Sequence, residues 1–108
     1  MKQKGDRKML GRLYVIINSN KEEDCEMIKD QLSKIRSDFS FSPSREYPAQ
    51  KGASDFFATC DLDEEEVQPL LDQLNNDWDG DVDDCICYGF NTKMFHPLVY
   101  FLEFTYFH

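Results

Sequence analysis

Positive charge is scarce in the second half of this chain. Residues 55–108 carry one cation, Lys93, against 13 carboxylates, and the stretch 61–84 holds 11 carboxylates with no Lys or Arg. Residues 1–54 differ, with 11 basic and 8 acidic side chains. So one-sided a field repels phosphate, so direct nucleic-acid binding is not expected, and it speeds the approach of a basic protein. Histidine is equally thin, with only His96, beside Pro97, and His108. There is no glycine-rich phosphate loop, no His-x-x-x-His pair and no nucleophile elbow, so an enzyme is not expected. A Cys–His pair can be drawn from Cys85 or Cys87 with His96, but no spacing demands it. Long apolar runs are missing too. No segment reaches the ~18 consecutive apolar residues needed to span a bilayer, and the polar N-terminus lacks a signal-peptide core. The expectation is a soluble cytoplasmic protein with no membrane association.

Cysteine is present at four positions, Cys25, Cys60, Cys85 and Cys87. Without an export signal these read as reduced, and no second close pair joins Cys85 and Cys87 to make a zinc site. They are expected as small buried hydrophobes, and no cofactor is implied. With 108 residues, 41% hydrophobic, the chain has the material for one core. The reading is a flexible basic arm over 1–10 and a single domain over 11–108.

Periodicity divides that domain. Arg12–Ile17 is a β-branched run expected as a central strand. Cys25, Ile28, Leu32 and Ile35 then step at helical spacing, and Ser19 with Glu22, or Asn20 with Glu23, has capping-box spacing. Phe39, Phe41 and Tyr47 suggest a strand bent at Pro43 and Pro48, and residues 55–60 a further strand. Asp63 with Glu66 opens a second helix whose stripe is Val67, Leu70, Leu71 and Leu74, with Trp78 closing it. Pro69 should kink that helix or move its regular start toward residue 68. Residues 75–84 are too polar to stay helical, 85–90 read as a strand, 91–97 as a loop, and 98–107 as a long strand apolar on both faces. The order β-α-β-β-α-β-β places the chain in the α/β (α+β) class, as a ferredoxin-like sandwich with an added C-terminal strand.

The stretch from Asn75 to Ile86 is similar to a twelve-residue calcium loop. Asn75, Asp77 and Asp79 fall at positions one, three and five, Gly80 at the turn, and Asp81 and Asp83 at the next two ligand positions. Ile86 stands where a bidentate Glu belongs, and the residues after it read as a strand rather than an exit helix, so calcium is the secondary reading. The nine Phe, five Tyr and one Trp go mostly to core. Trp78 within the acidic run, with Phe95 and Tyr106 near polar or terminal segments, could instead anchor a partner.

In size, charge and order of elements the chain resembles the small acidic immunity proteins of bacterial toxin–immunity pairs, such as those of contact-dependent growth inhibition. Leu62-x-x-Glu65 followed by Asp77-Trp78-Asp79-Gly80 is similar to the acidic regulators that inhibit ribonuclease E. Both resemblances imply a non-enzymatic inhibitor that covers the cationic cleft of a basic toxin or enzyme, a nuclease above all. Its binding residues would lie among Asp61, Asp63, Glu64, Glu65, Glu66, Asp72, Asp77, Trp78, Asp79, Asp81, Asp83 and Asp84. The alternatives are calcium binding through Asn75, Asp77, Asp79, Asp81 and Asp83, or a ligand-sensing or assembly module that pairs through its last strand.

Overall fold

A computed structural model describes residues 8–89 and 94–107. Most of the expected basic arm, the segment 90–93 with Lys93, and His108 lie outside the described residues. The elements run β1 Lys8–Ile17, α1 Glu22–Ile35, β2 Ser40–Phe41, β3 Arg45–Glu46, β4 Ser54–Asp63, α2 Glu64–Leu74, β5 Asp79–Asp81, β6 Asp84–Tyr88 and β7 Val99–Phe107. The architecture is mixed α+β, with two helices and a seven-stranded antiparallel sheet in the order β2-β4-β1-β7-β6-β5, β3 also pairing with β4.

The sheet is built on β1. All ten of its residues pair with β4, from Lys8 opposite Asp63 to Ile17 opposite Ser54. Its other side pairs with β7 from Leu10 opposite Phe107 to Ile17 opposite Val99. The strand therefore starts at Lys8, inside the arm expected over 1–10, because Lys8, Met9 and Leu10 find backbone partners on β4. Side chains alternate between the two faces. Leu13, Val15 and Ile17 of β1, Phe56, Ala58, Cys60 and Leu62 of β4, and Leu102, Phe104 and Tyr106 of β7 share one core with both helices. Arg12, Tyr14, Phe57, Thr59, Phe101, Glu103 and Thr105 consequently lie on the opposite face, which no helix covers.

The helices follow the expected stripes with different caps. Cys25, Ile28 and Leu32 are buried on α1, but its N-cap is Lys21 and no side chain caps it. The expected capping box is not formed, because Ser19 Oγ donates to Asp24 and accepts from the Lys21 N–H instead. On α2 the box does form. Asp63 caps the helix, and its N–H donates to Glu66 Oε1 at 2.9 Å. Val67, Leu70, Leu71 and Leu74 are buried as expected. Pro69 does not move the start to residue 68, since the helix is regular from Glu64. The proline is on the exposed side, where water can replace the hydrogen bond its ring removes.

Two expectations about the last third need correction. The C-terminal strand is not an addition at the sheet margin, because β7 lies between β1 and β6. The sheet margin on that side is formed by β5 and β6, a hairpin between α2 and β7. An apolar last strand needs neighbours on both sides, and the polar stretch expected as loop supplies part of the second one. The two-face alternation expected along 98–107 also breaks at the start of β7. Ile16 pairs with Phe101 and Ile17 with Val99, so Tyr100 is an extra residue and Val99 turns into the core.

On the open face, Asp55 is only 1% exposed. It accepts a hydrogen bond from Tyr14 Oη and pairs with Arg45 Nε at 2.8 Å. Burial, and then the neighbouring Asp55 carboxylate, push the Tyr14 phenol above its ordinary range. Asp55→Ala is expected to cost about 2–4 kcal/mol in urea unfolding, because it removes the acceptor of both groups, and Tyr14→Phe about 1–2 kcal/mol.

Candidate functional site

Eleven of the twelve residues expected to bind a partner are carboxylates, and the fold gives them different tasks. Asp63 and Glu66 form the α2 capping box. Glu66 also lies 3.4 Å from Arg36, which pairs with Asp38 and donates to the Asp61 carbonyl at 2.8 Å. The Asp63 N–H, with Arg36 adding to it, holds the Glu66 carboxyl below the ordinary glutamate value. These two acids therefore secure the junction of α1, β4 and α2. Glu64 and Glu65 are exposed in the first turn of α2, where negative charge suits the helix dipole. Asp72, further along α2, accepts from Gln68 Nε2 at 2.9 Å.

The acidic stretch after α2 is more ordered than its composition suggests. Asn75 is buried, and its Oδ1 accepts the Asp77 N–H at 2.8 Å. Trp78 donates its indole N–H to the Leu71 carbonyl at 2.9 Å and packs half-buried on the core. The indole is thus a strut between α2 and the hairpin rather than a projecting anchor. Phe95 also packs against the core, and Tyr106 is buried with its hydroxyl donating to the Leu62 carbonyl at 2.8 Å. Asp79 pairs with Ile86, Gly80 with Cys85 and Asp81 with Asp84, and the Asp83 carbonyl accepts the Tyr106 N–H.

That hairpin replaces the calcium loop. In a calcium loop the chain wraps so that alternate side chains converge on one point. Here Asp79 and Asp81 are strand residues and Asn75 is turned inward. Among the described residues no three His, Cys, Asp or Glu side chains gather as metal ligands. Gly80 matches the turn glycine of the calcium pattern for a different reason. Its φ is +119°, and a Cβ there would lie 2.5 Å from the Asp84 carbonyl oxygen, so the hairpin admits only glycine.

Strand register decides which carboxylates meet. The open-face row Thr59–Arg12–Thr105–Asp84–Asp81 crosses five strands, and the next runs Phe57–Tyr14–Glu103–Ile86–Asp79. Asp79, Asp81 and Asp84 therefore share the open face with Glu103, which composition did not single out. Asp61, opposite Leu10, lies on the same face but three strands from Asp84 and two residues further along, roughly 16 Å from it. On the helix side, a cleft of about 260 Å³ between α2 and the hairpin brings Asp72 and Trp78 to one opening, with the edge strand at Gly80 and Asp81 along its rim. Thus Asp79, Asp81 and Asp84 gather on the open face, Asp61 stands apart from them on β4, and Asp72 and Trp78 lie behind that face, while Asp77 is exposed in the turn between. Also missed were the half-buried rings of Tyr14, Phe57 and Phe101, and the exposed ones of Tyr88 and Phe107. The second apolar face of the last strand was the signal for Phe101 and Phe107, while Tyr14, Phe57 and Tyr88 join them only through strand pairing.

A larger cleft, about 460 Å³, lies beside the start of α1 and mixes Lys29 and Arg45 with Glu22, Glu26 and Glu46. The cysteine–histidine arrangement gains nothing from the fold. His96 Nδ1 accepts the Leu98 N–H at 3.1 Å, and Cys85 and Cys87 point into the core. Burial, with nearby aspartates adding, pushes the Cys85 thiol up to about 12, and burial, then Cys85 and Asp77, does the same for Cys87. No family model, curated protein or solved structure matches the chain.

All four thiols are buried, so at pH 8 they should react with an aromatic disulfide reagent only as fast as the chain unfolds. Burial raises Cys60 to about 11, and Cys85 and Cys87 to about 12. Their contribution to stability is complete below an unfolded-state value of about 8.5 and declines as pH climbs from there toward 12. Urea midpoints measured from pH 7 to 10 should therefore fall at the alkaline end.

Proposed function

We propose that this chain is a non-enzymatic cytoplasmic inhibitor that binds and blocks a basic partner, a toxin or enzyme of the nuclease class, in the manner of an immunity protein. One observation carries the reading. Asp61, Glu64, Asp79, Asp81 and Asp84 are exposed and make no ion pair among the described residues, whereas Lys29, Lys34, Arg36 and Arg45 are each paired with an acid. Four of the eight described cations of the first half are thus answered within the molecule, whereas these five carboxylates of the second half face outward without one. A nuclease cleft must be lined with Lys and Arg to hold phosphates, and carboxylates presented on a stable sheet can compete for those cations. We read the accompanying fold as ferredoxin-like, with β5 and β6 inserted ahead of the final strand.

The test is inhibition of basic nucleases, toxin nucleases and ribonuclease E included, by the full chain. The expected result is stoichiometric inhibition by an unmodified protein, with association slowing as salt rises. Reversing Asp79, Asp81 and Asp84 to Lys should lower the association rate at least about tenfold at low ionic strength, with a smaller effect in 0.5 M salt. Inhibition that is unchanged in the triple variant, or nuclease activity that is untouched across the panel, overturns the proposal.

A further inference from the structure

We infer that the basic partner docks on the open face of the sheet and is held there through arginine side chains; the inference rests on the inhibitor reading above. This face carries more aromatic surface than a solvated sheet needs. Leu10, Tyr88 and Phe107 are 42%, 36% and 39% exposed. The rings form a continuous path across four strands, with centroids 4.9 Å apart for Tyr14 and Phe57, 6.5 Å for Tyr14 and Phe101, and 5.1 Å for Phe101 and Tyr88. Glu103 stands in the middle of that path, between Tyr14 and Ile86, and Asp79, Asp81 and Asp84 border it.

Charge selects the occupant. Glu103 makes no ion pair among the described residues, the Arg12 guanidinium one row away lying over Phe57 and Phe107 instead, so a neutral apolar partner would bury its carboxylate unpaired, which is costly. A second copy fares no better. Both copies carry a net charge of −9, and stacking two faces about an axis along β7 would set Glu103 against its own image. A cationic partner answers the carboxylates and also uses the rings, because an aromatic face attracts a cation. Arginine fits better than lysine. Its planar guanidinium stacks on rings, sheds water more readily, and reaches a carboxylate with two parallel hydrogen bonds. The face already holds one such group. The Arg12 guanidinium lies 5.1 Å from the ring centroids of both Phe57 and Phe107, so the spacing of these rings admits an arginine between them.

The experiment follows the backbone amides of the full chain by NMR while octa-arginine or octa-lysine is added at low ionic strength. Octa-arginine should shift the amides of Tyr14, Phe57, Tyr88, Phe101 and Glu103 and bind at least about fivefold more tightly than octa-lysine. The Tyr88→Ala, Phe107→Ala double variant, checked as folded by its own spectrum, should reduce that preference to under about twofold. If open-face amides stay in place, or the two peptides bind equally well to the unaltered chain, the arginine surface is wrong and the inhibitor reading survives. A preference unchanged in the double variant likewise overturns the inference. If neither peptide binds, the acidic-surface reading beneath it fails as well.

Discussion

β1 is hydrogen-bonded along its whole length to β4 on one side and over most of it to β7 on the other. Those two ladders fix the register of the three longest strands, and register fixes which side chain faces which way. A one-residue slip would carry Leu13, Val15 and Ile17 out of the core and bring Arg12 and Tyr14 into it. The same alternation that builds the core also places Glu103 among rings and Asp84 beside Thr105. Core and open face are thus two readings of one pairing pattern.

The acidic hairpin depends on this arrangement. Three carboxylates within five residues, Asp79, Asp81 and Asp83, would repel one another in an unsupported loop. Here β6 pairs with β7, β5 pairs with β6, and Trp78 ties the entry of the hairpin to the Leu71 carbonyl. The mutual repulsion is opposed by backbone pairing and by the burial of Cys85 and Cys87 beneath. Charges held this way would lose little freedom on binding the proposed partner.

Much of the architecture was legible from the order of residues. The α1 stripe at Cys25, Ile28 and Leu32, the α2 capping box from Asp63 to Glu66, and the α2 stripe at Val67, Leu70, Leu71 and Leu74 each follow from local spacing. What was not legible depended on pairing between distant segments. Asp79–Asp81 has the composition of a loop and becomes a strand only because β6 offers an edge. Lys8–Leu10 belongs to a strand only because β4 is long enough to receive it. The site was half readable for the same reason. Composition pointed to the carboxylates, but only register distinguishes Asp79, Asp81 and Asp84, which face outward, from Asp63 and Glu66, which serve the α2 cap. Trp78 stood out for its surroundings in the sequence, yet its indole N–H answers a helix carbonyl.

The two margins of the sheet are short. β5 is three residues long and two of them are aspartates, while the opposite margin is split into β2 and β3, two residues each, with Pro43 between them. An unpaired strand edge is a template on which another molecule can extend the sheet, and growth from it leads to fibrils. Here one rim meets an incoming strand with like charge and the other is too broken to template it. The molecule can therefore display a broad, ring-rich surface without inviting copies of itself to polymerise edge to edge.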